Sequence, residues 1–205
     1  MYLFFRKLLS IVFHIKYKIT VHHPENIPEM KGGYIIASNH LKMLDPPMIA
    51  ACIRGKFSFM AKDEIFHKNP FITFVITKCG AFPVVRGSGD EAPIQKAVEV
   101  LGEERIFVIF PEGTRSKDGN LGRVKSGIAL IASQAAAPVL PVCLKYTGKR
   151  KVDLTIGELI PADELKIDPD DRKSMRNVSK RIQGELQSRH DELFGVQEAA
   201  AEDNE

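Results

Sequence analysis

Two short apolar runs, each followed at once by polar residues, constrain most strongly what this chain can fold into. The first, 34–37 (YIIA), precedes the segment SNHLKMLDPP at 38–47. The second, 106–109 (IFVI), precedes FPEGTRS at 110–116. Short apolar runs of this kind predict buried strands, and open α/β sheets bind ligands at the ends of their strands. We therefore expect an α/β fold whose functional residues lie at these two strand ends.

The remaining segments complete the prediction of a single α/β domain with a mixed, mostly parallel sheet flanked by helices. Further strands are expected at 19–21, 57–61, 82–85, 139–144 and 152–156, and helices at 46–53, 66–78, 91–103, 124–135 and 170–194. The last of these helices is charged and has few apolar positions, which predicts a peripheral location. A length of 205 residues suits one domain with a substantial core.

The N-terminal segment, residues 1–19, has the pattern of an amphipathic helix. Apolar residues including Leu8, Val12 and Ile15 share one helical face, whereas Ser10 and several cations share the other. Only eight residues separate Lys7 from Lys16, far fewer than the roughly 20 that span a bilayer. The pattern predicts a helix in the membrane interface, with packing on the protein's own core as the alternative.

The charge distribution suggests anionic partners. The formal net charge is +3, although the last ten residues contain four acidic groups and no Lys or Arg. The more basic remainder suits phosphorylated substrates, an anionic membrane surface or nucleic acid. Because no recognition motif or aromatic stacking stripe is present, we expect no nucleic-acid partner.

These patterns together divide the chain into three parts. They are a membrane-associating segment at 1–19, a main domain at 20–195 and an acidic tail at 196–205 that is expected to be disordered.

The cysteines and histidines give no pattern typical of a metal site. Cys52, Cys79 and Cys143 are far apart and lie among apolar neighbours, which predicts reduced thiols in the core. His22 and His23 are the only close pair of histidines, and adjacent residues of a strand point to opposite faces. We therefore expect no bound metal.

His40 and Asp45 have the clearest chemistry in the chain. A neutral imidazole can accept a proton near neutral pH, because its unperturbed pKa is about 6.5. A carboxylate bound to it would fix its tautomer and stabilise the imidazolium. Their spacing does not place them on one face of a regular helix, so they can meet only if the chain turns between them. The alternative is that Asp45, which precedes a proline, caps the next helix, and that His40 is a polar residue at a strand end.

Four motifs resemble those of the glycerolipid acyltransferase family, which includes the 1-acylglycerol-3-phosphate acyltransferases. They are NHxxxxD at 39–45, GAFPVVR at 80–86, FPEGTRS at 110–116 and APVLPV at 137–142, in the family's order. The resemblance implies that His40 and Asp45 form the catalytic dyad, with His40 as general base. It also implies an acyl thioester (acyl-CoA or acyl-carrier protein) as donor, lysophosphatidic acid as acceptor, and no bound cofactor.

The same resemblance implies a set of residues around the acceptor's phosphate. These are Arg86 in the second motif, Glu112, Gly113, Thr114 and Arg115 in the third, and Lys62 after the strand at 57–61. Arginine suits a phosphate because its planar fork donates two parallel hydrogen bonds, and Gly113 lets the backbone approach a ligand closely. Since a carboxylate repels a phosphate, we expect Glu112 to pair with an arginine or a ligand hydroxyl. For Arg86 and Lys62, simple solvation is the alternative.

One departure from the family pattern leaves the acceptor open. Many relatives carry Ser two residues after the histidine, where this chain has Lys42. Another lysophospholipid, glycerol-3-phosphate or an aminolipid therefore remains an alternative acceptor. A non-catalytic lipid-binding protein on the same scaffold is the alternative from a different functional class.

The helix at 66–78 is expected to line the acyl pocket or pack on the sheet. The expected location is peripheral or monotopic, at the cytoplasmic face of the cell membrane.

Overall fold

The fold is built on one mixed sheet. A computed structural model of the chain describes residues 2–30, 32–84 and 91–195, so the predicted tail at 196–205 lies outside the described residues. The strands of the described ranges are β1 Lys18–His22, β2 Ile35–Ser38, β3 Phe57–Lys62, β4 Ala81–Val84, β5 Ile106–Ile109, β6 Val139–Thr147 and β7 Lys151–Ile156. They form one sheet in the order β1-β7-β6-β2-β5-β3-β4. The five strands from β6 to β4 are parallel, whereas β7 runs antiparallel to β6 and β1 runs parallel to β7. The predicted mostly parallel α/β sheet is confirmed.

Helices cover both faces of this sheet. Those in the described ranges are α1 Tyr2–Lys16, α2 Asp45–Cys52, α3 Asp63–Phe66, α4 Pro70–Lys78, α5 Ala92–Gly102, α6 Gly127–Gln134 and α7 Ser174–Phe194. Successive residues of β2 point to opposite faces. Ile35 and Ala37 enter a cluster with α5, α6 and α7, while Tyr34 and Ile36 enter a cluster with α1 and α2. Burial on both faces explains why the strand is a continuous apolar run.

Helix α7 is not peripheral, so this prediction was wrong. Val178, Ile182, Leu186 and His190 are buried, and their four-residue spacing places them along one face of the helix. The three aliphatic side chains belong to the cluster shared with α5 and α6. A narrow stripe of this kind buries a helix whose overall composition is charged.

Helix α1 has two apolar surfaces. Phe13 is buried and Leu9 partly buried against the cluster that contains α2. Between them the Ser10 hydroxyl donates to the Ala51 carbonyl at 2.9 Å, so Ser10, which the sequence places on the polar face of the helix, packs on α2. A second surface stays exposed and consists of Leu8, Ile11, Val12 and Ile15. Packing on the core is thus observed for one side of α1, and no helix in the described ranges has the length and apolar content needed to cross a bilayer.

Several element boundaries differ from the prediction. The helix expected at 66–78 begins later, as α4 at Pro70, and Phe66 instead ends the short helix α3. Phe71 and Phe74 of α4 are 74% and 49% exposed. Neither of these rings packs on the sheet. Helix α6 begins at Gly127 rather than near Val124, because the preceding residues form a loop that follows the FPEGTRS segment.

The cysteines are all free thiols. Cys143 is buried as predicted, whereas Cys52 and Cys79 are only partly buried. Burial raises the pKa of the Cys52 thiol to about 12, so this thiol stays protonated and unreactive at neutral pH.

Candidate active site

The two polar segments singled out in the sequence meet at one edge of the sheet. β2 and β5 are neighbouring parallel strands, so the segments at 38–47 and 110–116 leave the sheet at the same end. β3 lies next to β5 and is also parallel to it, which places Lys62, the last residue of β3, at this edge as well. Such an edge is where open α/β sheets bind their ligands.

His40 and Asp45 are in direct contact at this edge. His40 Nδ1 lies 2.8 Å from Asp45 Oδ2. The turn that the spacing requires is formed by residues 42–44, and it is closed by a hydrogen bond from Asp45 N to Lys42 O at 3.1 Å. Because a carboxylate can only accept, His40 Nδ1 carries the proton, and in the neutral imidazole Nε2 has a free lone pair.

The Asp45 carboxylate is buried and surrounded by donors. Besides His40, Oδ2 accepts hydrogen bonds from Leu41 N at 2.6 Å and Lys42 N at 2.7 Å. Oδ1 accepts from the Tyr146 hydroxyl at 2.7 Å. Helix α2 begins at Asp45 itself, and its N-cap residue is Leu44, so Asp45 closes the preceding turn and does not cap the helix. These donors stabilise a charged carboxylate that has no contact with solvent.

Asn39 fixes the strand that supplies Tyr146. β6 pairs with β2 from Val139 to Val142 and then continues beyond the end of β2. There the buried Asn39 side chain takes the place of a neighbouring strand: Leu144 N donates to its Oδ1 at 2.8 Å, and its Nδ2 donates to Leu144 O at 3.0 Å. This pairing fixes β6 at Leu144, two residues beyond its last partner in β2, and Tyr146 follows two residues later.

The FPEGTRS segment holds His40 by three contacts. The Phe110 ring stacks on the imidazole with centroids 4.1 Å apart and an angle of 21° between the planes. His40 N donates to Glu112 Oε1 at 3.0 Å, and Ser116 N donates to His40 O at 2.8 Å. The two motifs, distant in sequence, therefore form one structural unit around His40.

Glu112 binds two backbone amides in the described part of the chain, whereas the sequence predicts an arginine or a ligand hydroxyl as its partner. Its Oε1 accepts from His40 N, and its Oε2 accepts from Gly122 N at 2.8 Å. The side chain is buried. A Cβ at Gly122 would lie 2.8 Å from Glu112 Oε2, so the close approach of this loop requires a glycine. Glu112 thus ties the loop at 116–123 to the backbone of His40.

Two cations flank the turn at Gly113. Gly113 has a φ of +76°, and a Cβ there would lie 2.7 Å from Lys125 Nζ, so the Lys125 side chain crosses directly over Gly113. Arg115 follows two residues later and is exposed. Neither Arg115 nor Lys125 has an ion-pair partner among the described residues. An anion placed at this turn could therefore meet the side chains of Arg115 and Lys125.

The other predicted phosphate-binding residues are less closely gathered. Thr114 is exposed at the same turn. Lys62 is exposed and its Nζ lies 3.7 Å from Glu64 Oε1. Arg86 lies outside the described residues. Lys42 points to Tyr146, with its Nζ 4.0 Å from the ring centroid.

Four residues of this site were not identified from the sequence. Asn39 and Phe110 directly adjoin the two motifs, and their position beside His40 and Glu112 was a usable signal. Tyr146 and Lys125 lie in an apolar strand and a polar loop, where no local pattern distinguishes them. Only the tertiary structure brings these two to the site.

Comparison with known proteins places this chain in a family. A family model described as "Acyltransferase" matches residues 18–145. The chain belongs to the acyltransferase family. This confirms the resemblance that the four motifs predicted.

Individual members of the acyltransferase family share both sequence and fold with this chain. A 1-acyl-sn-glycerol-3-phosphate acyltransferase of Bacillus subtilis is 30% identical over 94% of this chain and all of the relative. One of Streptococcus pneumoniae is 33% identical over 81% of this chain but only 64% of the relative. The crystal structure of a 1-acyl-sn-glycerophosphate acyltransferase from Thermotoga maritima matches with a TM-score of 0.73 and 25% identity, covering 96% of this chain and 80% of that one.

Proposed function

We propose that this chain transfers a fatty acyl group from an acyl thioester to the free hydroxyl of 1-acylglycerol-3-phosphate, giving phosphatidic acid. The observation that carries the proposal is the contact of His40 Nδ1 with the buried Asp45 carboxylate, which leaves Nε2 free to accept a proton. The names of the relatives from Bacillus subtilis and Streptococcus pneumoniae support the same substrate class.

His40 acts as the general base in this reaction. The acceptor hydroxyl attacks the thioester carbonyl, and its proton moves to Nε2 as the new C–O bond forms. Asp45 stabilises the imidazolium without taking its proton, because donors on both of its oxygens favour the ionised carboxylate. The tetrahedral intermediate then breaks its C–S bond, and the imidazolium returns the proton to the thiolate. No covalent acyl-enzyme is needed.

The turn at 112–115 binds the acceptor's phosphate. Arg115 and Lys125 supply positive charge, and Gly113 leaves the room in which the Lys125 side chain crosses the turn. Arg86 and Lys62 are further candidates, since the strands β3 and β4 end at the same edge of the sheet. Glu112 serves this site indirectly, by holding the loop and His40, because a carboxylate would repel the phosphate.

The exposed surface of α1 holds the protein at a membrane, where the acceptor resides. Lys7 and Lys16 lie on the same helix as the exposed apolar side chains, and Ile15 is 81% exposed. Met43 and Leu44, in the turn between His40 and Asp45, are 69% and 36% exposed. Because α1 packs on α2, which begins at Asp45, membrane contact through α1 brings the dyad close to lipid. The protein is then peripheral or monotopic at the cytoplasmic face, and its donor is acyl-CoA or acyl-carrier protein.

The test is acyl transfer by purified protein with lysophosphatidic acid. Thiol release from acyl-CoA is measured with and without the acceptor for wild type, His40→Ala and a control, His67→Ala. His67 also contacts a carboxylate, with its Nε2 3.1 Å from Asp63 Oδ2, but its side chain is 72% exposed. We expect acceptor-dependent release in wild type and His67→Ala, and a loss of at least about 100-fold in His40→Ala, as for removal of a general base.

Two outcomes would contradict the proposal. Equal release by wild type and His40→Ala would remove the base from the mechanism. The second outcome is that no variant releases thiol from acyl-CoA or from acyl-carrier protein, whether the acceptor is lysophosphatidic acid, a lyso-aminolipid or glycerol-3-phosphate. That result would favour a non-catalytic lipid-binding protein. Release with an alternative acceptor alone would keep the chemistry and change the substrate.

A further inference from the structure

We propose that Tyr146 is a positioning residue for the proton transfer at His40 and acts through Asp45. This inference rests on the function proposed above. The Tyr146 hydroxyl donates to Asp45 Oδ1 at 2.7 Å, whereas His40 binds the other oxygen, Oδ2. Tyr146 therefore holds the side of the carboxylate that faces away from the imidazole.

The Tyr146 hydroxyl is itself held in place from several directions. Its strand is fixed next to β2 by the two hydrogen bonds between Asn39 and Leu144. Lys42 Nζ lies 4.0 Å from the ring centroid, close enough for a cation–π interaction. Burial, together with the charge of Asp45, raises the pKa of Tyr146. The phenol therefore keeps its proton at neutral pH and remains a hydrogen-bond donor.

The two oxygens of Asp45 have different tasks in this arrangement. The backbone amides of Leu41 and Lys42 hold Oδ2 beside His40 Nδ1, and the bond from Tyr146 to Oδ1 adds a further restraint on rotation about the Cβ–Cγ bond. The same bond also draws negative charge toward Oδ1. Without it, more charge would remain on Oδ2 and would stabilise the protonated imidazole, so His40 would become a free base only at a higher pH.

The electrostatic surroundings of this pair come from four parts of the fold. Asp45 and Cys52 lie on α2, Lys42 lies in the turn before it, Tyr17 follows α1, and Glu112 follows β5. The substitution Tyr146→Phe changes none of these charges and keeps the aromatic ring. A change in the protonation of His40 in this variant would therefore result from loss of the Tyr146 hydroxyl.

The test compares Tyr146→Phe with Tyr34→Phe in the full chain. Tyr34 is the matched control, since its hydroxyl is buried and has no hydrogen-bond partner among the residues that the structure describes. For Tyr146→Phe we expect kcat to fall about tenfold, as for loss of a hydrogen bond to a charged group, with both KM values changed less than about twofold. We also expect the acid limb of the kcat/KM profile, and the midpoint of His40 protonation followed by NMR, to move to higher pH. Tyr34→Phe should change none of these quantities.

A double-mutant comparison shows whether Tyr146 acts through Asp45. In an Asp45→Ala background, Tyr146→Phe should cause no further loss of kcat. An unchanged midpoint of His40 protonation in Tyr146→Phe, or the same tenfold loss in the absence of Asp45, would overturn the inference. The NMR midpoint needs no turnover, so a wild-type protein without acyl transfer would refute the proposed function and still leave this test readable.

Discussion

Replacement of Glu112 by Gln should destabilise the protein, because the buried carboxylate accepts two backbone hydrogen bonds. A Gln side chain has nearly the same shape but only one acceptor oxygen. Either His40 N or Gly122 N would then face an amide NH₂ group instead of an oxygen. A lost hydrogen bond to a charged group costs about 1.5–3 kcal/mol. A mid-range loss of about 2 kcal/mol lowers the Tm of a chain of this size by about 4–8 °C.

Thermal unfolding followed by calorimetry, together with steady-state kinetics, tests this reasoning. The control is Glu103→Gln, which makes the same chemical change at an exposed position and should leave the Tm within about 1 °C. Since Glu112 orients His40 and the loop at 116–123, we expect kcat to fall as well. An unchanged Tm with a raised KM for lysophosphatidic acid would refute the structural role and would instead make Glu112 a ligand of the acceptor.

Two further predictions concern binding. Lys125→Met should raise the KM for lysophosphatidic acid about tenfold, as for loss of a hydrogen bond to a charged group, and leave the KM for acyl-CoA unchanged. The control is Lys96→Met, on the exposed side of α5. An unchanged KM for lysophosphatidic acid in Lys125→Met would exclude this residue from phosphate binding. Ile15→Gln should reduce cosedimentation with anionic vesicles by about tenfold, since burial of an isoleucine contributes about 1.5–3 kcal/mol. Met30→Gln, which alters another exposed apolar residue, should sediment like wild type, and equal sedimentation of all three proteins would show that α1 does not bind the membrane.

Much of the fold and part of the site followed from local patterns. Apolar runs such as 34–37 and 106–109 marked the central strands, because a strand buried on both faces needs apolar residues at every position. The contact between His40 and Asp45 required only a turn, and residues 42–44 provide it. The family could be identified for a related reason, since its motifs are short segments that each carry their own chemistry.

Other features depend on partners that local patterns do not reveal. The stripe of α7 recurs at four-residue spacing within a charged sequence, and only its packing against α5 and α6 shows that so narrow a stripe is buried. Glu112 was expected to bind an arginine or a ligand, yet its partners are the backbone amides of His40 and Gly122. Backbone amides exist at almost every residue, so no sequence pattern indicates which of them a side chain will bind.

The sequence by itself determined the type of sheet and the strand ends that carry the polar residues, and the resemblance of its motifs to the family indicated the pair of His40 and Asp45. These depend on hydrophobic periodicity and on spacings of a few residues, which are local properties of a chain. The tertiary structure alone decided that Tyr146 reaches Asp45 and that Lys125 crosses Gly113. Each of those contacts depends on how strands and loops distant in sequence are placed against each other, and that placement results from the packing of the whole core.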